Sequence, residues 1–202
     1  MSDESPYNPL DKRNLGASVA KAILDRPVVS MPLPEVVLGA GVYAIYYTGR
    51  FPLYQRIAER NRDGQFSWPI YVGKAIPKGG RRGVALEGVP GRSLFNRLSK
   101  HASSIEQASN LDIADFYCRY LVLDDIWIPL GETLLINLFV PIWNTSLDGF
   151  GNNTPGEGRI GQMRSQWDVI HPGRSFAKRL SDNKQSAEKI IEGLKAAIDK
   201  IP

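Results

Sequence analysis

Cysteine is nearly absent: Cys118 is the only one in 202 residues. One thiol excludes an intramolecular disulfide and any cysteine-based zinc site, and Cys118 reads as a small core residue. A Gly-x-x-x-x-Gly-Lys-Ser/Thr loop is also missing, so no nucleotide cofactor is expected. Long apolar runs are missing too. The longest, Leu134 to Trp143, is ten residues, about half of what a membrane-spanning helix needs. Met1 to Leu10 is polar, holds two prolines and shows no secretion signal. A soluble, cytoplasmic protein is expected, so the glycosylation-like triplets at Asn144 and Asn152 read as coincidence. Charge of one sign is in small surplus: 25 Lys and Arg against 21 Asp and Glu give +4. That suits a polyanionic partner without requiring one.

What is present is an ordinary globular balance, 43% hydrophobic and 23% charged, enough for a packed core. Residues 1–40 read as a loose arm, then a helix over 14–25 (Leu15, Val19, Ala22 and Ile23 at helical spacing), then a proline-punctuated connector over 27–34. GVYAIYYT at 41–48 and IYVGK at 70–74 read as strands. The spacing predicts an amphipathic helix over 93–108, a third strand over 116–123, and a helix over 127–139 that is apolar almost all round and therefore buried on most sides. A charged helix closes the chain over 184–200. The order strand, strand, helix, strand, helix predicts an α+β fold with a small three-stranded antiparallel sheet flanked by helices. The chain reads as one domain. Its core spans 41–147 and carries basic insertions at 49–68 and 76–92, and a basic loop and helical extension occupy 148–202.

The candidate chemistry sits at matched places. GVY ends at Tyr43 and YVG begins at Tyr71, with Lys74 just beyond. Arg97 and His101 are four apart and share a helix face. Glu132 is the lone charge inside the apolar helix; a dipole contact there is one reading, but a buried acid needs a partner, which a metal ion supplies. Asn144 follows twelve residues later, where it also suits a turn. This constellation resembles the GIY-YIG nucleases. The resemblance covers about half the chain, from Gly41 to Asn144, and implies a metal-dependent phosphodiester hydrolase. Tyr43 would serve as base toward water, His101 as acceptor of its proton, and Arg97 as phosphate ligand. Tyr71 and Lys74 would position the phosphate or nucleophile, Asn144 would orient a neighbour, and Glu132 would hold one Mg²⁺, with Mn²⁺ able to substitute.

The sequence departs from the family's short hairpin: 27 residues separate Tyr43 from Tyr71. Those insertions resemble the Type II restriction branch that cuts CCGCGG. Guanine is read best by Arg or Lys in the major groove, so Arg50, Arg56, Arg60, Arg62, Arg81, Arg82, Arg92, Arg159, Arg164 and Arg174 are the candidate DNA contacts. Cutting both strands of a palindrome implies a homodimer on double-stranded DNA. A repair- or structure-specific nuclease and a non-catalytic DNA-binding module remain open alternatives. Other nuclease signatures are poor: Asp182-Asn183-Lys184 lacks a preceding strand acid, and two histidines poorly supply a ββα-metal site. His171 receives no assignment.

Overall fold

The structure is a computed structural model, and it describes residues 8, 10–77, 91–152 and 162–201. Four antiparallel strands form one sheet in the order β1-β4-β2-β3, where β1 is Val29–Ser30, β2 Gly41–Tyr47, β3 Tyr71–Ala75 and β4 Phe116–Val122. Three match the sequence reading. The fourth, β1, lies inside the proline-punctuated connector and is a correction to the three-stranded count. Two residues cannot show a period; they are ordered by β4, against which Val29 opposes Cys118 and Ser30 opposes Tyr117.

All seven residues of β2 are buried, as expected of a central strand covered on both faces, which reads as a continuous apolar run. One face carries Val42, Ala44, Tyr46 and Val72, covered by α1 (Lys12–Leu24) and α4 (Ile128–Phe139). The other carries Tyr43, Ile45, Tyr47, Tyr71, Cys118 and Phe116, covered by α3 (Ser93–Glu106) and by the C-terminal third. Helix α4 is less enclosed than its composition implied. It buries Ile128, Gly131, Leu135 and Phe139 but leaves Leu138 exposed.

Both appended regions belong to the core. Residues 49–68, a basic insertion by sequence, hold α2 (Gln55–Glu59) and bury Tyr54, Ile57 and Ala58. Buried Asn61 ties them to the sheet, donating to the Tyr47 and Trp68 carbonyls and accepting from the Trp68 amide. Beyond α4 come α5 (Ile142–Thr145), α6 (Gln166–Ile170) and α7 (Ala187–Ile198). Helix α7 buries Ile190, Leu194 and Ile198 in the same cluster as Tyr43. No helix among the described residues is long and apolar enough to cross a membrane.

Candidate active site

The site lies at the β3 edge of the sheet, where the two faces meet. Register explains its first contacts. Tyr43 opposes Gly73 across the β2–β3 pair, and Ile45 opposes Tyr71. Directly opposed residues share a face, so the Tyr43 ring lies over Gly73. A Cβ at Gly73 would stand 2.3 Å from the Tyr43 hydroxyl and 2.5 Å from Cζ. The glycine of YVG is thus the slot that seats the tyrosine of GVY. Tyr71 packs beside it, with ring centroids 6.3 Å apart.

Helix α3 supplies the polar partners. Its buried stripe runs Leu94, Leu98, His101, Ala102 and Ile105, which places His101 under the sheet rather than in solvent. His101 Nε2 lies 2.7 Å from the Tyr43 hydroxyl. Arg97, one turn earlier and half-buried, donates from Nε to that hydroxyl at 3.4 Å and from Nη2 to the Gly151 carbonyl at 3.1 Å. Phe150 stacks on the His101 ring at 4.6 Å and 20°. Burial pushes the Tyr43 phenol well above its ordinary range; Tyr71 adds to this and Arg97 opposes it. Tyr71 is raised by burial too, again against Arg97. Burial holds the His101 imidazole well below its usual range, helped by the charges of Arg97 and Arg174. Near neutral pH the pair is therefore a neutral phenol donating to a neutral imidazole.

The other sheet face brings the charges. Lys74 opposes Val42, so it leaves β3 on the side opposite Tyr43 and Tyr71. There Nζ meets Glu132 Oε2 of α4 at 2.6 Å, with the side chains 34% and 19% exposed. The Glu132 charge still reaches round the edge strand, since it raises both tyrosines. Helix α4 ends at Val140 in the left-handed region, φ 43°, a conformation that disfavours a β-branched residue. Pro141 then starts α5 at once, and this sharp turn aims Asn144 at β3. Its amide accepts from the Val72 N–H at 2.8 Å and donates to the Val72 carbonyl at 2.7 Å. Asn144 therefore closes the open edge of β3 and holds Tyr71 and Gly73 in register, rather than pointing at the tyrosines.

The chain matches a known family over most of its length: the sequence pattern of the Eco29kI GIY-YIG domain fits residues 35–198. The chain belongs to this family. No curated protein matches it. As an Eco29kI-type GIY-YIG restriction endonuclease domain, it is a deoxyribonuclease and DNA is its substrate. The match runs past Asn144 through α6 and to the end of α7, so the C-terminal third is part of the family's unit. GIY-YIG nucleases generally use a divalent metal ion. Among the described residues no group of three or more His, Cys, Asp or Glu forms an ion cage. One carboxylate, Glu132, is nevertheless a fitting donor for Mg²⁺, which keeps several waters and binds through one or two carboxylates plus phosphate.

The candidate DNA-reading arginines fall into unlike places. Arg50, Arg60 and Arg92 are exposed. Arg56 is exposed and donates to the Asp199 carbonyl. Arg62 is half-buried and donates to the Thr48 and Gly49 carbonyls, and Arg164 is held by the Ala177 carbonyl and Asp182. Arg81, Arg82 and Arg159 lie outside the described residues. Arg174 departs from expectation: it is 1% exposed and paired with buried Asp168, which places it in the interior and not on a DNA-facing surface. Sequence reasoning missed Phe150 and Gly151, which touch His101 and Arg97. Their only signal was an aromatic between glycines in an otherwise polar loop. It also left His171 unassigned, and that residue is buried, bonded to the Tyr54 hydroxyl at 2.6 Å and the Asn110 side chain at 2.9 Å.

Proposed function

We propose that this chain is a Type II restriction endonuclease that hydrolyses double-stranded DNA at a GC-rich palindrome such as CCGCGG, acting as a homodimer with one Mg²⁺ per active site. The observation that carries this reading is the buried Tyr43–His101 hydrogen bond flanked by Arg97, with the Lys74–Glu132 pair at the same sheet edge. Phosphodiester hydrolysis requires a proton acceptor beside the attacking water and positive charge around the phosphate. Neither Tyr43 nor His101 favours its charged form in this setting, so a free phenolate or imidazolium is costly. A relay avoids the phenolate: Tyr43 takes the proton of water as its own passes to His101 Nε2, and the imidazolium so formed is offset by the negative charge that the attack places on the phosphate. Arg97 offers a planar fork to the phosphate oxygens once DNA displaces part of its present bonding. Lys74 would stand near the same phosphate, and Tyr71 would help to seat it. Glu132 would hold the Mg²⁺. A bound divalent ion supplies charge for the leaving oxygen. One such site per subunit serves one strand, and two-fold symmetry answers the palindrome.

The test is cleavage of plasmid DNA with Mg²⁺ and with chelator, beside Glu132→Gln. Discrete Mg²⁺-dependent fragments, absent in the variant and ending at one sequence, are expected. Random nicking would replace the restriction reading by a structure-specific one, and a gel shift without cutting would leave a binding module. Light scattering is expected to give a dimer on DNA; a monomer both free and bound would remove the symmetry argument.

A further inference from the structure

Arg174 makes more bonds than a structural ion pair needs. Nε and Nη2 grip the two Asp168 oxygens at 2.7 and 2.8 Å. The remaining donors go to the backbone of one short loop: Nη2 to the Gly149 carbonyl at 2.9 Å, and Nη1 to the Phe150 and Asn152 carbonyls at 3.2 and 3.4 Å. The guanidinium is sandwiched between Trp167, 4.5 Å away, and Phe176, 4.8 Å away. Asp168 is itself fixed on α6, where Ser165 donates to it at 2.7 Å. A guanidinium has five N–H donors, and this one spends them all. The loop it holds is the one that touches the site, because Gly151 accepts from Arg97 and Phe150 stacks on His101. A Cβ at Gly151 would stand 2.9 Å from the Tyr71 hydroxyl and 3.3 Å from Arg97 Nη2, so this backbone approaches both groups closely.

We infer that Arg174, locked by Asp168, is a positioning residue for the nuclease reaction: it fixes residues 149–152, and through them the orientation of the Arg97 guanidinium and the His101 ring. This rests on the nuclease reading above. Arginine is required and charge alone is insufficient, because a lysine ammonium in the same cavity has three donors on one atom. It can pair with Asp168 but cannot also span the three loop carbonyls.

Arg174→Lys tests this, with Asp168→Asn as the second variant should the first not fold. Asp168→Asn keeps its size and loses one of the two guanidinium acceptors. Three readouts are taken on the full chain: turnover at saturating DNA, DNA affinity in chelator, and the His101 ring resonances in histidine-labelled protein, which has only two histidines. Expected are a cooperative melt, turnover reduced roughly ten- to hundredfold, DNA affinity within about threefold, and displaced His101 resonances as Phe150 leaves its stacked position. A merely structural residue would lower the melting midpoint and leave turnover of the folded fraction and the His101 resonances unchanged, and that result overturns the inference. Wild-type protein that cuts nothing would sink the nuclease reading instead, whereas the resonances report the clamp whether or not the protein cuts.

Discussion

Removing one oxygen tests the centre of the proposed chemistry. In Tyr43→Phe the ring keeps its seat over Gly73 and its packing against Tyr71 and His101, so the change is confined to the hydroxyl. Two groups lose a partner, His101 Nε2 and Arg97 Nε, though Arg97 retains the Gly151 carbonyl. Leaving a buried acceptor unpaired costs about 1–3 kcal/mol, against a total stability on the order of 5–15 kcal/mol. The variant should therefore fold, with a melting midpoint lower by roughly 2–12 °C for a chain of this size. Loss of a positioned proton acceptor typically slows a reaction about 10²- to 10⁴-fold, or roughly 2.7–5.5 kcal/mol of barrier. DNA affinity should barely move, since the hydroxyl is buried. The assay is single-turnover cleavage under saturating enzyme, quenched in chelator, beside DNA binding by fluorescence anisotropy. A variant that cuts within about threefold of wild type at neutral pH refutes the relay, whatever its stability.

Glu132→Gln keeps the shape of its side chain and leaves Lys74 without an anionic partner; Mg²⁺-dependent cutting should fall at least about 10²-fold while a gel shift persists, and wild-type cutting would take the ion away from this residue. Gly73→Ala forces a methyl against the Tyr43 ring; a rigid ring yields only by moving, so both turnover and about 1–3 kcal/mol of stability should be lost, and retention of both would mean that the ring finds another seat. Acid should destabilise the fold early. His101 is held well below its ordinary value and His171 is pushed down by burial to about 3, against about 6.5 when unfolded. Both take up protons on unfolding, so their contribution is full above about pH 6.5 and is lost as pH falls below it. Each adds a slope of up to about 1.4 kcal/mol per pH unit. Urea titrations at pH 5, 6 and 7 read this directly, and equal stabilities across that range would contradict buried neutral histidines.

Much of this site was legible because its groups lie on regular elements. The β-branched and aromatic residues of GVYAIYYT and IYVGK mark two strands, and the 97/101 spacing puts Arg97 and His101 on one helix face, where the structure holds them within reach of Tyr43. The lone acid in an apolar helix points to a metal ion as the partner of Glu132, whereas the partner in the structure is Lys74. What sequence could not convey was the side of the sheet. Lys74 follows Gly73 by one position and so points the other way, a consequence of the two-residue period that matters only once pairing is known. Asn144 was noticed, but its bonds to Val72 depend on a turn through Val140 that no propensity favours. The largest misreading concerned charge: Arg174 looked like one more surface cation, and only its partners, six residues upstream and in a glycine-rich loop, show it to be interior.

Burial explains why such supports are needed. The same desolvation that keeps Tyr43 protonated and His101 neutral makes either charged form expensive, so in the proposed relay the proton passes along the existing hydrogen bond and the imidazolium forms only as negative charge develops on the phosphate. Hydrogen bonds weaken steeply with misalignment, and the Tyr43–His101 contact at 2.7 Å leaves little slack. His101 lies against the Tyr43 and Tyr71 rings and stacks on Phe150, which itself meets Tyr71 edge-on at 5.0 Å. A core of β2, β3 and α3 alone would leave the imidazole face that Phe150 covers open to water, which would raise the local dielectric and loosen the ring. Phe150, backed by Trp167 of α6, closes it. That accounts for a catalytic edge built from the first two-thirds of the chain needing the last third to work. It also predicts that truncation before α6 abolishes cutting even where the sheet survives; a truncated protein that folds and cuts would show the closure to be dispensable.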